Sequence, residues 1–362
     1  MLKVLLLGPF YNPLIRRLRE ELIRNGVNVI SASFNIEDDL TNNIYSLGSL
    51  RGMYSFFYSR KLKKIISDNK PDLIHAHVSN HYGLLTLTMK RRIPVIITLW
   101  GSDVMQATIN KSLLKNIVLR FFNALVYLRS SLIHSSSQHV VDTLLHQVGF
   151  LSKFKRKYRE HYWGMPLALL SQAEKKIIND KLTKEFNFQA SVDSKFIVFP
   201  RGIKSIYNPE LVLKLINSWS NVNRGRVIVV FKAFSDDLLW EQFIKRVTNT
   251  NCIFIGRLLS DEELSYFYSL SVAHVSVPFS DNLGGGVIEP LQMGSIPILS
   301  DIKPYRELAK NSECFILNSD RSSDLNMAIN YIEEKAEVVK VDTHSNSPVL
   351  KIIDFYKEVL ND

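Results

Sequence analysis

The feature that most limits what this chain can fold into is an alternation of short apolar strands with amphipathic helical stretches, run through twice. LKVLLLG at the start leads into NPLIRRLREELIRNG and VNVISAS, followed later by PDLIHAH, a helical stretch near 82–91 and IPVIITLWGSD. From KFIVFPRG the alternation restarts: helical stretches near 209–220, 236–248, 261–270 and 286–294 separate RVIVVFK, CIFIGRL, VAHVSVPF, SIPILSD and ECFILN. This order builds parallel sheets covered by helices on both faces. In the first helical stretch, over 10–26, Leu14, Leu18, Leu22 and Ile23 fall on one face and Gly26 marks the stop. With 362 residues the chain is long for one core. The reading is therefore α/β, with two Rossmann-like doubly wound domains facing a cleft. The first covers 1–170 and the second 171–345, and a last helix over 346–362 crosses back to the first.

Composition narrows the class. Hydrophobic residues at 46% and charged residues at 22% describe an ordinary globular chain. No apolar run reaches the roughly 18 residues needed to span a bilayer, and the opening residues read as a first strand, not a signal segment. Cys252 and Cys314 lie in strand-like contexts and read as small buried hydrophobes, which fits a reducing cytoplasm. Charge is uneven: residues 1–165 hold 23 Lys and Arg against 10 Asp and Glu, whereas 166–362 hold 22 against 25. The basic half is either a surface for anionic partners, such as membrane phosphates at the inner face of a membrane, or a plain solvated surface. Charge alone also suggests nucleic acid, but no helix-turn-helix, aromatic platform or zinc pattern supports it.

The most informative run is VSVPFSDNLGGGVIEPLQMGSIPILSD, residues 275–301. Gly284, Gly285 and Gly286 open a helix after a strand, with Asp281 before them and Glu289 one turn in. Bare backbone N–H groups and a positive helix end at a sheet's carboxyl edge suit an anionic or polyhydroxyl ligand, and carboxylates accept from sugar hydroxyls. Three glycines also make a tight turn that binds nothing. His75 and His77 share one face of their strand. With no third ligand at sensible spacing, no metal site is expected; His77 either lines the cleft or is a hydrogen-bonded edge histidine. Asp103 suits a helix cap. Over 111–131, Leu114, Ile117, Val118, Phe121, Leu125 and Leu128 share a helical face flanked by Lys111, Lys115 and Arg120, a pattern of either core packing or a membrane-surface helix. KFKRKYRE, 153–160, reads as a cationic loop, either meeting lipid phosphates or solvated.

The acid, seven residues, then Glu pattern of Asp281 to Glu289 resembles the donor signature of retaining glycosyltransferases of family 4, which have the GT-B fold. The resemblance runs through most of 195–315. It implies that Glu289 accepts the nucleotide's ribose hydroxyls, Asp281 reaches the transferred sugar, and the amides of Gly284 to Gly286 face sugar and diphosphate. Arg201, with Lys204 nearby and Lys232 as a lesser basic candidate, corresponds to the diphosphate clamp, and the backbone around Gly256 and Leu258 to the base subsite. In the first half PDLIHAH and IPVIITLWGSD are similar to the acceptor-side strands, aligning His77 and Asp103; the family's histidine before the glycine is Trp100 here, and its glycine pair after the first strand is reduced to Gly8-Pro9. The resemblance implies a nucleotide-sugar-dependent hexosyltransferase-like enzyme, without cofactor or metal, acting on a glycan or lipid-linked acceptor in cell-surface polysaccharide or lipopolysaccharide biosynthesis. A nucleotide-sugar epimerase on the same fold and a degenerate partner subunit are the alternatives.

Overall fold

The structure, a computed structural model, describes residues 1–49, 59–109, 113–149, 153, 157–186, 195–219, 227–318, 320–335 and 348–361. It divides into two compact units, Met1–Met165 with Asn346–Asp362, and Pro166–Ser345. The break falls at Met165, a few residues ahead of the 170/171 division read from the sequence.

The first unit contains strands β1 (Lys3–Leu7), β2 (Asn28–Ser33), β3 (Ile44–Ser46), β4 (Leu73–His77), β5 (Val95–Leu99), β6 (Leu132–Ser135) and β7 (Lys157–Glu160). They form one parallel sheet in the order β3-β2-β1-β4-β5-β6-β7. Around it lie α1 (Pro13–Arg24), α2 (Ser59–Asn69), α3 (Leu84–Thr86), α4 (Ser102–Ile109), α5 (Leu113–Arg129) and α6 (Gln138–Val148). Side chains alternate across each strand, so Leu5 and Leu7 join a core with residues of α2, α5 and α6, while Val4 and Leu6 face α1 on the other side.

Local sequence explains α1: the Asn12 side chain accepts from Leu14 N–H, Pro13 takes the first turn, and Gly26 adopts a left-handed φ of 80° just beyond. Its buried stripe is Ile15, Leu18 and Leu22, whereas Ile23, expected on that face, is 43% exposed because it sits 100° of helical rotation beyond Leu22. Two further expectations are corrected. The helix expected near 82–91 is a π-turn over Ser79–Gly83 followed by the short α3, entered through a left-handed Val78 (φ 72°). Residues 157–160, expected as loop, form the edge strand β7, paired from Leu132↔Lys157 to Ser135↔Glu160; charged residues are common on such edges. Residues 154–156 and Lys111 lie outside the described residues.

The second unit contains α7 (Gln172–Phe186), then β8 (Phe196–Phe199), α8 (Pro209–Ser218), β9 (Val227–Phe231), α9 (Asp237–Arg246), β10 (Cys252–Ile255), α10 (Asp261–Ser269), β11 (Ser271–Ser276), α11 (Gly285–Gln292), β12 (Ile296–Ser300), α12 (Lys303–Ala309), β13 (Phe315–Leu317) and α13 (Ser322–Lys335). Its sheet runs β10-β9-β8-β11-β12-β13, again parallel, with Ile197 and Phe199 facing α8, α9 and α13, and Phe196 and Val198 facing α7 and α10.

The final helix, α14 (Pro348–Leu360), returns to the first unit. Val349, Ile352, Phe355, Tyr356 and Val359 pack with Val4, Leu6 and the buried face of α1. It also closes a buried polar chain: the Tyr356 hydroxyl lies 2.8 Å from His75 Nδ1, His75 Nε2 lies 2.7 Å from Thr98 Oγ1, Thr98 Oγ1 lies 3.0 Å from His134 Nδ1, and His134 Nε2 lies 2.8 Å from the His161 carbonyl. No described helix is long and apolar enough to cross a membrane.

Burial, reinforced by neighbouring histidines, pushes His75 and His134 down to about 3, so both are neutral when folded. An unfolded histidine titrates near 6.5, so the stability this chain contributes is complete above that pH and is lost as the pH falls toward 3. Denaturant midpoints are expected to drop between about pH 6.5 and 4. At pH 7, Tyr356→Phe, which strips a partner from buried His75, should cost about 1–3 kcal/mol by the same measurement.

Candidate functional site

In the second sheet the strand order reverses between β8 and β11, the place where open α/β sheets bind ligands at their carboxyl ends. Arg201 leaves the end of β8 there, and the 279–284 loop leaves β11 beside it. The Arg201 guanidinium makes an ion pair with Asp281 Oδ2, donates from Nε to Ser276 Oγ at 3.4 Å, and lies over the Tyr207 ring at 5.5 Å. Asp281 Oδ2 also accepts from the Tyr305 hydroxyl at 2.9 Å and from Gly284 N–H at 3.3 Å; Ser276 Oγ is 2.9 Å from the same hydroxyl. All of these bonds to the carboxylate fall on one oxygen.

The three glycines are explained by what surrounds them. A Cβ on Gly284 would come within 3.2 Å of both terminal nitrogens of Arg201, and one on Gly286 within 3.2 Å of its Cδ and Nε. On Gly285 it would sit 2.9 Å from Glu289 Oε1. Arg201 and the buried Glu289 thus close on the same bare stretch of backbone, where Gly284 caps the eight-residue α11. Leu283, just before, is held at a left-handed φ of 48°.

Electrostatics follow the geometry. Burial opposes the charge on Arg201, but the Asp281 carboxylate and the neighbouring phenols outweigh it and hold the guanidinium above its ordinary value. Burial, then the nearby carboxylate, drives the Tyr305 phenol well up, so it is a fixed hydrogen-bond donor.

Other expected residues differ in setting. Lys204 is half-buried three residues after Arg201, and Lys232 Nζ is 2.7 Å from Asp237. Gly256 is open, with nothing within 4 Å of where a Cβ would stand, while the Leu258 carbonyl accepts from Arg257 at 3.1 Å. The same carboxyl edge has a cavity of about 410 Å³, lined among others by Asn208, Lys214, Phe279, Asp301 and Asn318 and not by Arg201, Asp281 or Glu289.

The first unit has its own reversal, between β1 and β4. Gly8 ends β1 so close to its neighbours that a Cβ would be 3.3 Å from Ile15 and 3.4 Å from His77 Cβ. His77 is fully buried, not lining an open surface; its Nδ1 accepts from Trp100 Nε1 at 3.2 Å, and its ring lies 4.4 Å from His75 and 4.8 Å from Trp163. Burial, then His75 and His134, holds it far below its ordinary value. Asp103 is buried in the first turn of α4, and both its oxygens accept from backbone: Oδ2 from Ser79 N–H at 2.7 Å and Oδ1 from Trp100 N–H at 3.1 Å. It ties the end of β4 to the end of β5. Among the described residues no group of three or more His, Cys, Asp or Glu side chains is arranged to hold a metal ion.

Sequence reasoning did not find Tyr305, Ser276, Tyr207 or Trp163. Tyr305 sits in the first turn of α12, right after β12, and its place at the carboxyl edge was the only signal available. Because Asp281 is the counter-ion of a guanidinium only 17% exposed, Asp281→Ala is expected to cost about 3–5 kcal/mol, and Asp281→Ala combined with Arg201→Met less than the two single changes added together, in a denaturation double-mutant cycle.

Residues 3–135 match the family described as glycosyl transferase 4-like. No curated protein matches the chain as a sequence. Among solved structures, sucrose-phosphate synthase from Thermosynechococcus elongatus superposes with a TM-score of 0.70 at 12% identity, covering 100% of both chains. HepE from Anabaena, solved with UDP and glucose, gives 0.69 at 13% identity over 100% of both chains. UDP-GlcNAc 2-epimerase from Methanocaldococcus jannaschii gives 0.62 at 14% identity over 99% of this chain and 100% of its own. The chain thus has the two-Rossmann-unit fold that these proteins share, and the family match at residues 3–135 lies within the first of its units.

Proposed function

We propose that this chain transfers a sugar from a nucleotide-sugar donor to a glycan or lipid-linked saccharide acceptor, with retention at the anomeric carbon, in the building of cell-surface polysaccharide or lipopolysaccharide. The observation that carries the reading is the convergence of Arg201 and Glu289 on the glycine run at the reversal of the second sheet. A nucleoside diphosphate needs cationic and N–H donors for its phosphates and a carboxylate acceptor for its ribose hydroxyls, and both lie against one short backbone stretch here.

In this reading Arg201, Lys204 and the amides of Gly284 to Gly286 hold the diphosphate, Glu289 accepts from the ribose, and backbone near Gly256 and Leu258 meets the base. Asp281 reaches the sugar with its second oxygen while its Oδ2 keeps Arg201 in place. The bond from the anomeric carbon to the phosphate oxygen breaks as one to the acceptor oxygen forms on the same face. The acceptor's proton passes to the departing phosphate oxygen, and fixed positive charge lowers the barrier as negative charge collects there. His77 and Asp103 act by shaping the end of the first sheet. No cofactor or metal enters the scheme. The work belongs at the cytoplasmic face of a membrane, where a lipid-linked acceptor is met.

A panel of nucleotide sugars tested by thermal shift should yield one that stabilises the chain, by about 2.7 kcal/mol at a hundredfold excess over its dissociation constant. Arg201→Lys and Glu289→Gln should abolish most of that shift while leaving circular dichroism unchanged. Gly285→Ala is the subtler test: its new methyl first meets the carboxylate end of the Glu289 side chain, so the fold should hold while donor binding weakens about tenfold or more. Unaltered donor binding in all three variants, or isomerisation of the donor with no acceptor present, would overturn the reading.

A further inference from the structure

Helix α5 is longer than the strands it serves. Seventeen residues span about 25 Å, whereas β5 and β6, of five and four residues, span roughly 13–17 Å. Its far end is fixed at the sheet's amino edge: Arg129 donates to the carbonyls of Thr86 at 3.2 Å and Ile93 at 2.8 Å, and Val126 and Tyr127 are buried in the core. The surplus length therefore projects past the carboxyl edge, where there is no sheet to pack on.

On that overhang the sequence puts large apolar side chains. Leu113 is 75% exposed, Leu114 72%, Ile117 55% and Phe121 58%. At 100° per residue these four fall within one arc of about 100°, a continuous stripe and not scattered positions. Along the segment that carries the stripe, charge has one sign. Between Asp103 and Asp142 the sequence has no carboxylate at all, only the cations Lys111, Lys115, Arg120 and Arg129. Helix α2 packs into the same core on the same face of the sheet, and its first turns carry exposed Arg60, Lys61, Lys63 and Lys64.

We propose that the first half of α5 docks on an anionic lipid bilayer, with Leu113, Leu114, Ile117 and Phe121 entering the acyl boundary and Arg120 with the α2 cations meeting lipid phosphates. Charge complementarity selects this occupant: a second copy would set the same cations against each other, while an anionic membrane neutralises them. The meaning of the contact, delivery of a lipid-linked acceptor to the carboxyl edge of the first unit, rests on the glycosyl-transfer reading; the surface itself does not.

The test is flotation of the full chain with vesicles of phosphatidylcholine alone and of phosphatidylcholine mixed with phosphatidylglycerol, beside the triple variant Leu114→Gln, Ile117→Gln, Phe121→Gln. These side chains are already in water, so the variant should keep its melting temperature and its donor-induced thermal shift. The chain should bind the mixed vesicles, at least about tenfold more weakly when the anionic lipid is left out, and the variant should lose at least about tenfold more. Equal vesicle binding by chain and variant overturns the proposal. So does absence of binding to the mixed vesicles, or a dimer of the chain that the variant converts to monomer. If no nucleotide sugar shifts either protein while the vesicle results hold, glycosyl transfer fails and the lipid surface stands.

Discussion

A largely buried guanidinium organises the second unit. Arg201 stands where two neighbouring strands end and the connections part to opposite sides, and nothing there tolerates it without a counter-charge. Asp281 supplies that charge, Tyr305 and Ser276 fix the carboxylate and the guanidinium to the next strands of the sheet, and the glycines let the backbone come within reach. The arrangement is costly to assemble, since every member is taken from water. What it yields is a cation and a helix terminus whose positions are set before any ligand arrives, which is the condition for electrostatic stabilisation that needs no reorganisation.

The first unit solves a related problem with neutral groups. Its reversal point is lined by His77, Trp100 and Trp163 packed edge to face, with the imidazoles kept uncharged by burial. The Asp103 carboxylate there is taken up by two backbone N–H groups, of Ser79 and Trp100. The two sheets share a strand order, the first having β7 in addition, and differ in chemistry: one edge is built around fixed charge, the other around aromatic and backbone contacts.

Much of this was legible in the sequence because parallel sheets announce themselves. Fully buried runs such as VLLL and IVVF read as continuous apolar stretches, and the helices between them keep a clear period, so the alternation and its restart stand out from the residues alone. Asp281, the glycines and Glu289 were legible for a different reason, their spacing around one strand-to-helix turn, and Arg201 through the resemblance of its strand end to the family's diphosphate clamp. Pairing was not. That Asp281 serves Arg201, and that Tyr305 joins them from twenty-four residues away, depends on which strands lie side by side. The edge strand β7 was missed since its charges imitate a loop, and α3 since a helical pattern in a buried stretch does not reveal that the backbone has room for only one turn.

The return of α14 has a consequence for how the molecule is made. Residues 348–360 cover the face of the first sheet that α1 leaves bare, and they leave the ribosome after the whole second unit. The earliest sheet to be synthesised therefore waits with part of its apolar surface uncovered, while the later one can complete itself at once. During that interval the uncovered apolar surface is open to aggregation, and any tag placed after α14 must leave this helix free to find its groove.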